Sequence, residues 1–70
     1  METNLLKNLM KEKGVTQKEM ARLCGISHSA FRRRIDGKAE FRLGEIEIMA
    51  VRLGMDKSEI CFIFFSQKVS

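Results

Sequence analysis

Three consecutive arginines, Arg32, Arg33 and Arg34, follow the apolar residue Phe31 in the stretch ISHSAFRRRIDG. Each guanidinium group is a planar fork of N–H donors that matches phosphate oxygens or the O6 and N7 acceptors of guanine. Adjacent like charges repel one another, so the run indicates either a strongly solvated surface or an anionic partner.

Basic residues are concentrated around this run, because Lys38 and Arg42 complete a group of five within eleven residues. The whole chain of 70 residues carries 13 basic and 9 acidic side chains, which gives a net charge of +4. This balance permits a nucleic-acid partner, and the clustering favours one more strongly than the total does.

Other kinds of site find little support in the sequence. The sole histidine, His28, and the two distant cysteines, Cys24 and Cys61, cannot supply the four Cys/His ligands of a structural zinc site. The sequence has no glycine-rich phosphate loop and no nucleophile–base–acid set. We therefore expect a protein that is not an enzyme and needs no cofactor or metal.

Length and composition predict one small domain over residues 1–66 and a short C-terminal tail over 67–70. The chain is 44% hydrophobic and 31% charged, which is typical of a soluble globular protein. Its longest apolar run, 60–65, is far shorter than the roughly 20 residues of a membrane-spanning helix. Because the N-terminus has no secretory pattern, we expect a cytoplasmic protein without a membrane partner or a small-molecule substrate.

Helix starts are marked by polar cap residues. Thr16 and Asp56 are each followed three residues later by a glutamate, which is the spacing of a capping box, and Ser27 is a third cap. Apolar residues flank each cap at the spacing of a hydrophobic staple: Val15 with Met20, Ile26 with Phe31, and Met55 with Ile60.

Four of the five glycines follow an apolar-periodic segment, as is typical of helix C-termini. We therefore predict an all-α protein with five helices, at about 4–13, 17–24, 28–36, 43–53 and 57–66. No segment alternates as a strand would. The residues predicted to be buried include Phe31, Ala21, Ile26, Leu53, Ile60 and Phe64.

The second and third predicted helices are separated only by Gly25, Ile26 and Ser27. So short a connection forces the two helices to cross at a large angle, which is helix-turn-helix geometry. Ala21 supplies the small side chain that a close approach of the two helices needs.

The stretch TQKEMARLCGISHSAFRRRIDGK resembles the phage repressor and Cro family of helix-turn-helix DNA-binding proteins, with the spacing Gln-x-x-x-Ala-x-x-x-Gly from Gln17 to Gly25. The later pattern EFxxxEI…LGM…EI…IFF is similar to small regulators of phages and prophages of Gram-positive bacteria. The resemblance covers about residues 4–65. It implies a five-helix, lambda-repressor-like domain in the cytosol of a bacterial host.

The chain departs from the family near the end of the third helix, where an apolar residue is usual and Arg34 stands instead. Ile35 follows it and pairs with Phe31 at i, i+4, so we take Ile35 as the replacement anchor in the core.

This orientation predicts which side chains read bases in the major groove. At 100° per residue, Ser29 and Arg33 lie opposite the two anchors, and Arg32 lies beside Ser29 and Arg33. His28 lies at the exposed first turn. These four are the predicted base-reading residues. The alternative is that the arginines form a solvated face without a partner.

Phosphate contacts are predicted at two places. The N-terminus of the second helix offers free N–H groups, and the resemblance assigns Gln17 to a phosphate there, beside Thr16 and Lys18. Lys38 and Arg42 follow the third helix, where the family's loop meets the DNA backbone. Ordinary surface positions are the alternative for the lysines.

Phe62 and Phe65 point away from the apolar stripe of the fifth predicted helix, which suggests a homodimer contact. The alternative is that residues 66–70 or the first helix cover them.

These observations and the resemblance predict a sequence-specific duplex DNA-binding transcriptional regulator of the repressor or Cro type, derived from a phage or prophage. The alternative is a protein-interaction module that keeps the helix-turn-helix shape without binding DNA. Three arginines on the third helix favour DNA.

Overall fold

The structure is a computed structural model that describes residues 3–65. Its elements are α1 (Thr3–Glu12), α2 (Gln17–Cys24), α3 (His28–Ile35), α4 (Leu43–Leu53) and α5 (Lys57–Ile60), which continues as a π-helical turn (Cys61–Phe65). Within this range there is no strand, so the predicted all-α, five-helix class is confirmed. The predicted tail 67–70 and the end of the fifth helix at Ser66 lie outside the described residues.

Side-chain caps form where the sequence predicts them. Thr16 Oγ1 and Ser27 Oγ each accept a hydrogen bond from the backbone amide three residues later, at 3.0 and 3.1 Å. Asp56 and Glu59 form a reciprocal capping box, at 2.8 and 3.1 Å. Because one such cap contributes about 0.5–2 kcal/mol, local sequence fixes the start of three helices.

The first turn of α4 is capped from inside the helix. Arg42 occupies the N-cap position, and its side chain has no acceptor atom. Instead, Glu45 Oε1 accepts a hydrogen bond from the Arg42 backbone amide at 2.9 Å. The predicted start at residue 43 is therefore confirmed, although the sequence shows no ordinary cap there.

The core lies where α1, α2, α3, α4 and the π-helical turn meet. Phe31 and Ile35 are both fully buried, which confirms Ile35 as the replacement anchor of α3. Thr3 Oγ1 donates a hydrogen bond to the carbonyl oxygen of Ile35 at 3.1 Å and so ties the start of α1 to the end of α3. The buried cluster comprises Leu6, Met10, Val15, Met20, Ala21, Phe31, Ile35, Ile46, Met49, Leu53, Ile63 and Phe64.

An aromatic side chain in the connection between α3 and α4 bridges two parts of this core. The ring of Phe41 meets Phe31 edge-on at 5.5 Å between centroids and meets Phe64 edge-on at 5.7 Å. Such pairs contribute about 0.5–1.5 kcal/mol each beyond the burial of their area. Phe41 was absent from the predicted core.

Three predictions need correction. Ile26 and Ile60 are partly buried rather than buried, because Ile26 lies in the open turn between α2 and α3 and Ile60 lies at the edge of the cluster. The third helix ends at Ile35, and Asp36 is its C-cap. The fifth helix is α-helical only to Ile60 and continues as a π-helical turn, in which the adjacent residues 63 and 64 are buried.

Candidate nucleic-acid interface

The turn between α2 and α3 is built by a left-handed glycine. Gly25 has φ +75°, a conformation that side chains with a Cβ rarely adopt. The amide of Ile26 donates to the carbonyl of Ala21 at 3.0 Å and closes the end of α2. Ala21 itself is buried, so α2 and α3 approach closely, as the sequence predicts.

One face of α3 is exposed and basic. His28, Ser29, Arg32 and Arg33 are all exposed. Ser29 and Arg33 lie opposite the buried anchors, Arg32 lies next to Ser29 and Arg33, and His28 lies at the first turn of the helix. All four predicted base-reading side chains are thus accessible, and their contact with bases stays a prediction.

The third arginine of the run faces inward. Arg34 Nε lies 3.1 Å from Glu45 Oε1, and the two side chains are only 12% and 7% exposed. The same Nε donates to the carbonyl oxygen of Glu40 at 3.3 Å. Since Glu45 also caps α4 through the Arg42 amide, one carboxylate joins α3 to the start of α4. Arg34 therefore holds α3 from its buried side and is not part of the exposed face of this helix.

The chain turns sharply after α3. Gly37 has φ +83°, and the amide of Lys38 donates to the carbonyl of Arg33 at 2.8 Å, which closes the end of the helix. Lys38 and Arg42 are both exposed along the connection to α4. Their predicted phosphate contacts are accessible but untested.

Two lysines of α1 lie near the start of α2, where phosphate contacts are predicted. Thr16 and Lys18 are exposed there and Gln17 is half-buried. A groove of about 420 Å³ beside them is lined by Lys7, Met10, Lys11, Gly14, Val15, Thr16 and Gln17. Sequence analysis did not select Lys7 and Lys11 as candidates, although their i, i+4 spacing places them on one side of α1.

A second groove, of about 470 Å³, runs between α2 and α3. Lys18, Arg22 and His28 contribute basic and polar groups to it, and the half-buried side chain of Ile26 also lines it. Arg22 was not predicted as a site residue. Arg22 lines this groove together with His28 and the acidic residue Glu19.

Comparison with known families agrees with this geometry. A family model described as a helix-turn-helix domain matches residues 4–60. The chain belongs to the helix-turn-helix domain family. Comparisons with curated proteins and with solved structures gave no match. Helix-turn-helix domains are typically DNA-binding modules whose second motif helix enters the major groove.

The predicted dimer contact of this helix-turn-helix domain lies on the π-helical turn. Phe62 and Phe65 are 52% and 48% exposed, so they do point away from the core as expected. The 66–70 segment that might have covered them lies outside the described residues, and the contact stays a prediction. Among residues 3–65, no helix is long and apolar enough to cross a membrane.

Cys24 lies beside the ion pair of the helix-turn-helix domain. Its thiol donates to the Glu45 carbonyl oxygen, with Sγ 4.0 Å away. Burial raises the pKa of the Cys24 thiol, the Glu45 carboxylate raises it further, and the Arg34 guanidinium partly offsets both. Among residues 3–65, His, Cys, Asp and Glu form no group of three that could hold a metal ion.

Alkylation at neutral pH should therefore distinguish the two cysteines. Cys61 is exposed, whereas Cys24 is half-buried and its thiolate, the reactive form, is disfavoured. We expect iodoacetamide to modify Cys61 several times faster in the folded protein, as followed by mass spectrometry of the two peptides. In urea the two rates should converge. Equal rates in the folded protein would contradict the position of Cys24.

Proposed function

We propose that this domain binds duplex DNA sequence-specifically and regulates transcription, with α3 lying in the major groove. The observation that carries the proposal is the exposed, basic face of α3. That face is backed by fully buried anchors and by the ion pair of Arg34, so its side chains project from a fixed helix.

The proposed base-reading residues are His28, Ser29, Arg32 and Arg33. The two arginines suit guanine, because their donors match its O6 and N7 atoms in the major groove. His28 and Ser29 lie in the first turn of α3, where short side chains let the helix N-terminus approach the bases.

The proposed phosphate contacts come from other segments of the chain. Thr16, Gln17 and Lys18 lie at the start of α2, where amide groups and the helix dipole favour an anion. Lys38 and Arg42 lie beyond α3. We add Lys7 and Lys11, because they line the same groove as Thr16 and Gln17.

The proposed mechanism is steric. A domain bound at a promoter blocks or shifts RNA polymerase, as expected of a repressor or Cro-type regulator from a phage or prophage acting in a bacterial cytosol. The resemblance of residues 16–38 to that family supports this narrower assignment.

Selection of bound fragments from random duplex DNA tests the proposal. We expect one motif to be enriched, with affinity at least about 10³-fold above that for a scrambled duplex. Five proposed cationic contacts, Lys7, Lys11, Lys18, Lys38 and Arg42, predict that log K falls with log salt with a slope of about −4 to −5 per bound copy.

A selection that enriches no DNA motif would also distinguish the two candidate functions. If no motif is selected and binding to duplex DNA is undetectable at low salt, the domain is a protein-interaction module. The slope of log K against log salt, measured for Lys7→Ala and for Lys11→Ala, tests whether each of these lysines contacts a phosphate. Each lost contact should lower the slope by about one.

A further inference from the structure

The connection between α3 and α4 is bonded to α3 at both of its ends. Near its start, the carbonyl oxygen of Arg33 accepts hydrogen bonds from the amides of Lys38 and Ala39, at 2.8 and 3.2 Å. Near its end, Arg34 Nε donates a hydrogen bond to the carbonyl oxygen of Glu40 at 3.3 Å. Two adjacent residues of α3 therefore hold both ends of the connection.

The ion pair extends this attachment to the start of α4. Glu45 Oε1 lies 3.1 Å from Arg34 Nε and accepts a hydrogen bond from the Arg42 amide at 2.9 Å. Because both charged side chains are largely buried, the solvent screens their attraction little. We call Arg34, Glu45 and the carbonyl group of Glu40 the Arg34 network. It joins α3, the connection and α4 to one another.

The Arg34 network resists a rotation of α3 that apolar burial alone resists less. Phe31 and Ile35 lie about 40° apart around the helix axis, and Arg34 lies about 60° from Phe31 on the side away from Ile35. Burial of apolar area has no preferred direction, whereas a hydrogen bond weakens steeply as its angle departs from linear. The network therefore fixes the direction in which Ser29 and Arg33 leave the helix.

We propose that Arg34 and Glu45 are positioning residues for the discrimination of DNA sequences, an inference that rests on the proposed function. Phosphate contacts set the register of a protein on the duplex, and base contacts read the sequence. Lys38 and Arg42, on the connection, are proposed phosphate contacts, whereas Arg33 is a proposed base reader on α3. The Arg34 network holds these two groups in one geometry, and a base contact tolerates errors of only about 0.5 Å and 10–20°.

A double variant separates this positioning role from a contribution to stability. Arg34→Met with Glu45→Gln leaves no buried charge unpaired, keeps an oxygen for the Arg42 amide and keeps the net charge of +4. We expect it to be more stable than Glu45→Gln alone and still to discriminate poorly. The ratio of its affinities for the selected and the scrambled duplex should fall roughly 5- to 150-fold, as for the loss of one arginine–guanine pair. Its affinity for the scrambled duplex should change less than about threefold, because the cationic contacts remain.

These titrations use a temperature at which circular dichroism shows each variant to be folded. The matched control is Asp56→Ala, which removes the cap of α5 and so lowers stability away from the Arg34 network. It should keep the wild-type affinity ratio. Arg34→Lys keeps the positive charge beside Glu45 but lacks the planar fork, so its ratio should lie between those of the wild type and the double variant. If the double variant does not fold, an unchanged ratio for Arg34→Lys overturns the assignment.

A mutant cycle with Arg33→Ala tests whether the Arg34 network acts through the exposed face of α3. In the wild type, Arg33→Ala should lower the affinity ratio roughly 5- to 150-fold. In the double variant, the same substitution should lower it no more than about threefold, because the base contact is already misaligned. Equal factors in the two backgrounds would show that the network does not act through Arg33.

Failure of this inference and failure of the proposed function give different results. A wild type that selects no DNA motif contradicts the proposed function, and the positioning role falls with it. A wild type that selects a motif while the folded double variant keeps the full affinity ratio contradicts the positioning role alone. An equal fall of the ratio in Asp56→Ala would assign the effect to stability and overturn the positioning role as well.

Discussion

Replacing Glu45 with glutamine should lower the free energy of unfolding by about 3 kcal/mol, near the low end for breaking a buried ion pair. Glutamine keeps an oxygen that can accept the amide of Arg42, so the loss reports the charge that faces Arg34. We expect the low end because Arg34 is 12% exposed and can turn partly toward water. In a domain of this size, the change corresponds to roughly 12–24 °C in Tm.

Thermal and urea unfolding followed by circular dichroism measure this effect at low protein concentration. The matched control is Glu47→Gln, an exposed glutamate on the same helix, which should change stability by no more than about 0.5 kcal/mol. Adding Arg34→Met to Glu45→Gln removes the unpaired cation and should recover part of the loss. Equal stability of Glu45→Gln and Glu47→Gln would show that the ion pair does not contribute to stability.

Replacing Arg33 with alanine should remove a base contact. A bidentate arginine–guanine pair gives about 1–3 kcal/mol of discrimination, so the preference for the selected duplex should fall roughly 5- to 150-fold and relax at one base pair. The reason is angular, because residue 33 lies opposite the buried side chains of Phe31 and Ile35. Binding titrations on selected and scrambled duplexes at several salt concentrations measure this loss.

The matched control for Arg33 is Lys38→Ala. Lys38 lies beyond the end of α3, so its loss should weaken both duplexes alike and lower the salt slope by about one. If Arg33→Ala also weakens both duplexes alike, residue 33 contacts only the DNA backbone. Arg32 then becomes the better base reader, because Arg34 is held by Glu45.

Local sequence signals predicted the helices because their causes are local. A cap such as Ser27 and a left-handed glycine such as Gly25 act on the backbone within three or four residues, and both appear in the structure as predicted. Ile35 could also be placed, since its i, i+4 relation to Phe31 fixes one face of α3.

The contacts that were missed join residues far apart in the chain. Arg34 and Glu45 lie on different helices, and neither shows its partner in any short spacing. Phe41 lies in a connection that has no helical period, so its position between two rings depends on how the helices pack. The π-helical turn depends on a shift of backbone hydrogen bonds that leaves no sequence pattern.

The arginine run also bears on how such proteins diverge over generations. Arg32 and Arg33 are exposed, and substitutions at such positions usually change stability by less than about 0.5 kcal/mol. These two positions are therefore free to vary without loss of the fold. Position 34 is more constrained, because loss of Arg34 leaves the buried carboxylate of Glu45 without its counter-charge. In related sequences, positions 34 and 45 should therefore change together, whereas the stability of the fold ties positions 32 and 33 to neither of them.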